Sequence, residues 1–191
     1  MPFCKKYNVA TRLLATAMIL LSNSTLADFS VSEALPELVQ GSLIVSGTMD
    51  LTLSAKVEEA VAKGIPLEID FEFRLKRQRS LLWNEHIQSW RIHRQIRYHA
   101  LSGQYFVSNA AADSNKLENF ISLRQALQHM GTLSELSFDV MSLQPDPNTQ
   151  YLLDVRVSLD IESLPAPLRP VAYTSLEWHL NSGWTTWTVK R

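Results

Sequence analysis

Over most of this chain apolar and polar side chains alternate one by one, the period of a strand with one face buried and one face wet. From Pro66 to Lys76, Leu67, Ile69, Phe71, Phe73 and Leu75 fall on one face, and Glu68, Asp70, Glu72, Arg74 and Lys76 on the other. From Tyr151 to Glu162 the same alternation sets Tyr151, Leu153, Val155, Val157, Leu159 and Ile161 against Asp154, Arg156, Ser158, Asp160 and Glu162. Both segments predict long antiparallel strands whose odd-numbered residues enter the core. Weaker alternation predicts strands at Leu43 to Leu53, Trp90 to Ala100, Gln104 to Ser108, Leu136 to Met141 and Trp184 to Val189.

Two stretches change to helical spacing between suitable stops. Ser54 can cap a helix from Ala55 to Lys63 that places Val57, Ala60 and Val61 on one stripe, with Gly64 ending it and Pro66 preventing its return. Ser122 can cap a second helix through Met130, where Leu123, Ala126, Leu127 and Met130 share a face and Gly131 is the stop. Gly47 predicts a bulge, and Gly103 and Gly183 predict hairpin turns, so the glycines have structural work and none is spare for a phosphate loop. Gln144 to Asn148 and the proline-rich Leu164 to Pro170 predict flexible connections, the second extended. The expected fold is mainly β: an antiparallel, sandwich-like domain, of which the immunoglobulin arrangement is one form, with two short helices. The alternative is α+β, with both helices on one curved sheet. An eight-stranded outer-membrane barrel fits poorly, because helical stretches interrupt the strands and Lys190-Arg191 follow the last one.

The first 27 residues break the pattern. Lys5, Lys6 and Arg12 precede a nine-residue apolar run, Leu13 to Leu21, and Thr25 and Ala27 suit the positions before a cleavage site. The run is about half of the ~20 residues that cross a membrane as a helix. It predicts a secretory signal peptide over 1–27 and one periplasmic domain over 28–191. Cleavage would remove Cys4, the only cysteine, so neither a disulfide nor a thiolate nucleophile is expected in the mature chain. It would also leave 15 Lys and Arg against 19 Asp and Glu, a net charge of −4. Charge is uneven within that total: Arg74, Lys76, Arg77, Arg79, Arg91, Arg94 and Arg97 lie in a segment whose only acid is Glu85. Such a segment can steer an anionic partner, or it can neutralise acids on neighbouring strands. Nucleic acid is not expected as a partner of an exported, net-acidic chain.

The inventory for chemistry is thin. There is no Gly-x-Ser-x-Gly elbow and no Ser-x-x-Lys pair. His93 and His99 share a strand face but lie about 20 Å apart along it, so that pair cannot share one ion. Glu68, Asp70 and Glu72 have spacings compatible with paired-carboxylate hydrolysis. A strand carrying Arg91, His93, Gln95, Arg97 and His99 could equally lie beside them as partners. No catalytic residue, metal ligand or cofactor is assigned on this basis. Among the five tryptophans, Trp184 and Trp187 should point to opposite faces of a terminal strand, one inward and one at a surface.

Several motifs together resemble an uncharacterised exported bacterial family, domain of unknown function 4390. They are Gly64-Ile65-Pro66-Leu67 entering a long strand, Trp90 and Tyr98, Leu123 with Ala126-Leu127 and Gly131, and above all the ending. That ending runs Leu164-Pro165-x-Pro167-Leu168-Arg169-Pro170, then Tyr173, Trp178 and Ser182-Gly183-Trp184 with Trp187. The resemblance spans about Leu35 to Lys190, implies a Gram-negative periplasm and a link to a membrane sensor kinase, and transfers no catalytic residues. Three function classes follow: a non-enzymatic binding or accessory module of the envelope, a carrier of a small apolar or lipid-like ligand, and, least supported, an enzyme. The partner of the first would be an envelope protein or an anionic envelope component. Arg77, Arg79 and Trp83 are its expected contacts, in a loop expected to leave them free of cross-strand acids. Intact-mass measurement on protein from the envelope fraction is expected to give a chain beginning at Asp28; a mass that retains Met1 to Ala27 would overturn the signal-peptide assignment.

Overall fold

The computed structural model describes residues 28–109, 117–140 and 149–190. In chain order they form β1 (Phe29–Val39), β2 (Ser42–Leu51), α1 (Ala55–Ala62), β3 (Leu67–Arg77), β4 (Glu85–His99), β5 (Gln104–Asn109), β6 (Leu117–Phe120), α2 (Leu123–Gly131), β7 (Thr132–Asp139), β8 (Tyr151–Leu159), α3 (Arg169–Thr174) and β9 (Thr185–Thr188). A 3-10 turn, Leu176–Trp178, precedes β9. The signal segment and the Gln144 to Asn148 connection lie outside the described residues.

The strands build two antiparallel sheets, one of three strands in the order β1-β2-β7 and one of six in the order β6-β5-β4-β3-β8-β9. Their apolar faces meet in a sandwich-like core. Phe138 of β7 packs its ring 5.1 Å from Phe73 of β3 and 5.0 Å from Trp90 of β4, carrying contact from one sheet to the other. The short sheet cannot cover the long one alone, and helices fill the rest: α2 packs on β2 and reaches β5 and β6, while α1 lies against β4 and the 3-10 turn. On the remaining side the two sheets are tied at their edges. Leu38 N–H donates to Lys190 O and Lys190 N–H donates to Pro36 O, each at 2.8 Å.

The strict alternation of β3 and β8 translates directly into burial. Phe71, Phe73, Val155 and Val157 are fully buried and Leu159 nearly so, with Phe71 opposite Val157 and Phe73 opposite Val155. The helix caps also form as the spacing predicts. Ser54 accepts from Val57 N–H and Ser122 accepts from Gln125 N–H. Trp184 and Trp187 take opposite faces: Trp187 stands opposite Leu153 and packs on the core, and Trp184 covers the outer face of the six-stranded sheet.

Four features depart from the sequence-based expectations. First, β1 carries Pro36 and a register shift between Val31 and Glu33, which blur its alternation; the strand is tolerated because it sits at a sheet edge, where a proline costs no ladder bond. Second, β4 begins at Glu85, five residues before the expected start, and bulges opposite Leu75 and Lys76 of β3. Third, the proline-rich stretch is not extended. Turns lead into α3, a third short helix, whose Pro170 occupies the first turn, where the missing N–H breaks no helical bond. Fourth, Gly131 does more than stop a helix. A Cβ there would lie 2.1 Å from Met49 O, so only glycine lets the end of α2 close on β2. Gly47 is the expected bulge, and a Cβ on it would meet Glu33 O at 2.4 Å.

Because Phe71 is fully buried in the central strand, Phe71→Ala is expected to cost about 3–5 kcal/mol in reversible denaturant unfolding. A loss below about 1 kcal/mol would contradict the face assignment of β3.

Candidate functional site

The outer face of the six-stranded sheet collects most of the charged residues singled out in the sequence. β3 supplies Glu68, Asp70, Glu72, Arg74 and Lys76; β4 places Arg91 opposite Glu72 and His93 opposite Asp70; β8 places Arg156 opposite Glu72 and Asp154 opposite Arg74. Glu72 lies between two guanidiniums: Arg91 donates to Oε1 at 2.9 Å, and Arg156 donates to Oε1 and Oε2 at 2.8 and 2.7 Å. Asp154 accepts from Lys76 and from Thr186 Oγ1. Trp184 then lies beneath two cations, 3.8 Å from the Arg74 guanidinium and 4.6 Å from that of Arg156. These covers leave Asp70 and Glu72 only 7% exposed although their face is nominally the wet one. The basic segment therefore neutralises the acids of its own sheet. The partly exposed Trp184 ring is engaged by both guanidiniums.

Asp70, Glu68 and His93 form the tightest group. His93 Nδ1 lies 2.6 Å from Asp70 Oδ1 and 3.4 Å from Glu68 Oε1, and the three donor atoms lie within 4.8 Å of one another. Such a group could take a divalent ion in place of the bridging proton. As found, it is a histidine shared by two carboxylates, with Arg91 3.7 Å from Asp70 Oδ2 supplying further positive charge. Period-two spacing revealed the two acids, but only the β3–β4 register brings His93 to them.

Arg94 points the other way. It is 6% exposed, lies 5.2 Å from the Phe71 ring, and donates to Met130 O and to Thr132 O, the latter at 3.1 Å. These are carbonyls at the C-terminal end of α2, where a cation complements both the unpaired acceptors and the helix dipole. Burial pushes the guanidinium pKa down from its ordinary value, and the charge of Glu118 opposes this.

The expected contacts Arg77, Arg79 and Trp83 lie around the β3–β4 connection. Arg77 and Arg79 are not free of acids, as the loop assignment supposed. Early entry of the chain into β4 sets Glu85 opposite Arg77, with contacts of 3.4 Å to Arg77 and 2.6 Å to Arg79. The hydrogen bond from Arg79 and the charges of Arg79 and Arg77 hold Glu85 below the usual carboxylate range. Two cations share one anion, so the pair of strand ends keeps an excess of one positive charge. Trp83 stands 91% exposed at the tip, beside Leu81 at 92% and Leu82 at 66%. Sequence reasoning singled out Trp83 and missed both leucines, because three adjacent apolar residues in a loop carry no period that distinguishes burial from exposure.

A second concavity, about 700 Å³, opens between β2, α1 and α2. Met49, Leu51, Leu53 and Leu127 give it an apolar lining, and Glu58 and Arg124 add opposite charges.

The family model for domain of unknown function 4390 matches residues 27–188, nearly the whole described structure, and the chain belongs to this family. No curated protein and no solved structure shows significant similarity to it.

Burial raises the Asp70 carboxyl above its ordinary 3.8, helped by the charge of Asp160, while the hydrogen bond and charge of His93 and the charge of Arg91 act against it. A folded-state pKa above the unfolded one gives a contribution that is complete below pH 3.8 and is lost as pH rises through the folded value. Asp70→Asn cannot ionise there. The stability of the wild type relative to this variant, measured by urea unfolding, is therefore expected to fall as pH is raised from about 3 to 7. A difference that stays flat or grows would show that His93 and Arg91 outweigh burial.

Proposed function

We propose that this family member is a non-enzymatic binding or accessory module of the bacterial cell envelope, exported to the periplasm behind a cleaved signal peptide. One observation carries the reading: the chain holds an apolar triplet, Leu81-Leu82-Trp83, in solvent at the end of its two longest paired strands, directly above Arg77 and Arg79. Exposing adjacent large apolar side chains costs solvation free energy that folding would recover by turning them inward, and such patches mark interaction sites. Elsewhere on the outer face the strong acids and bases are engaged with one another, which suits a scaffold better than a reacting centre.

A narrower second reading is favoured by the concavity between β2, α1 and α2, whose apolar lining with a charge of each sign suits a small amphipathic ligand. The two readings separate experimentally. If the tip is the contact, Arg77→Glu/Arg79→Glu is expected to reduce capture by isolated envelope membranes at low salt and to flatten its salt dependence. Thermal stability should change little, since water and salt screen exposed ion pairs. Undiminished capture by the double variant would retire the tip; co-purification of an extractable small molecule would then favour the carrier reading.

A further inference from the structure

We propose that the β3–β4 tip docks on a lipid surface bearing anionic headgroups, with Leu81, Leu82 and Trp83 entering the headgroup boundary and Arg77 and Arg79 facing phosphates. This rests on the reading of the tip as the contact and names what it contacts.

Shape is the first argument. The triplet is three consecutive exposed residues at the end of a hairpin, flanked by polar Gln78, Ser80 and Asn84, and its two leucines edge only an open, mostly polar depression with Arg79, Thr149 and Gln150. Three side chains of this size offer on the order of half the ~800 Å² per partner that a stable protein interface buries. Among the described residues, Leu101, Ile121 and Leu176 are comparably exposed, but each stands without an equally exposed large apolar neighbour in sequence. A yielding medium accepts such a finger without a matching groove, and a bilayer boundary is one.

Chemistry is the second argument. Tryptophan favours the boundary between headgroups and acyl chains, where the ring is buried and the indole N–H stays hydrated. Leucines on either side of that depth supply apolar area. Behind them, among the described residues, Arg77 and Arg79 pair with the single carboxylate of Glu85, so these three side chains carry one net positive charge where headgroup phosphates would lie. Lys76, one residue further down β3, is paired with Asp154 and belongs to the sheet. An apolar tip plus a cationic collar is the two-signal arrangement that peripheral binding needs. A single acyl chain alone gives only about 10⁴ M⁻¹, so binding by this tip is expected to be reversible and to need millimolar lipid.

The test is vesicle co-sedimentation of the full protein as recovered from the envelope fraction, with its mass determined. Phosphatidylglycerol-containing and pure phosphatidylcholine vesicles are compared, with isolated envelope membranes alongside. Wild type should bind the anionic vesicles. The triple variant Leu81→Ser/Leu82→Ser/Trp83→Ser should lose that binding while keeping its melting temperature, and Leu101→Ser should bind as wild type. Arg79→Glu should weaken binding by roughly tenfold or more, following about fivefold per charge near an anionic surface. Equal sedimentation of wild type and triple variant would overturn the proposal, and equal binding to the two lipids would overturn its headgroup assignment. Should wild type bind envelope membranes but neither vesicle, the occupant is a protein: the lipid assignment falls while the tip remains the contact. Should it bind none of the three, both fall.

Discussion

A strand that is paired along both edges and covered on both faces leaves its side chains nowhere to go, and β3 is such a strand. β4 and β8 occupy its edges, the core takes its odd-numbered residues, and Trp184 with the flanking arginines closes over much of its outer face. Asp70 and Glu72 are buried there, and a carboxyl group removed from water needs partners in place. Register supplies them. Arg91 and His93 arrive from one side and Arg156 from the other, and a slip of one residue in β8 would set Val155, Val157 or Leu159 against the acids. The charge pairs thus specify alignment more than they add stability, and the basic segment is spent largely inside the sheet.

Strand β4 carries the second constraint. Its alternation would place an apolar residue between Ile92 and Ile96, and Arg94 stands there instead. The guanidinium is tolerated because α2 ends above it and presents carbonyls, and because the Phe71 ring lies beneath it. Its Nε atom has no hydrogen-bond partner, so the arrangement retains a desolvation cost. In return a helix that touches the small sheet is anchored to the large one. Gly131 and Arg94 act on the same junction: the first lets α2 close on β2, and the second holds the turn after it.

How much of this could be seen in the sequence follows from which signals are local. β3 and β8 were legible because each is long and alternates almost throughout, Leu152 being the one apolar residue on the polar face of β8. The helices were legible because Ser54 and Ser122 are followed by apolar stripes. β1 was hidden by Pro36 and a bulge, β6 by its four-residue length, and α3 by prolines that in isolation argue for an extended chain. The acids of the charged face were visible in sequence, yet their pairing with Arg156 and the cover by Trp184 depend on strands far apart in the chain. Membership of the family was legible chiefly in the Leu164 to Trp187 ending, and residues 27–188 match its model.

The seam that joins the two sheets has a consequence for when the molecule can form. β1 holds the edge of the small sheet, and its outer side is bonded to Lys190; nearby, Asn181 N–H donates to the carboxylate of Asp28, 153 residues earlier. Synthesis delivers Phe29, Leu38 and the rest of β1 early, but the segment that completes their surroundings follows about 150 residues later. Closing so long a loop is entropically slow, and neither edge can be sealed in advance by local contacts. The nascent chain consequently cannot complete this seam until residues 181–190 have been made. The order of the strands is itself a timer for folding.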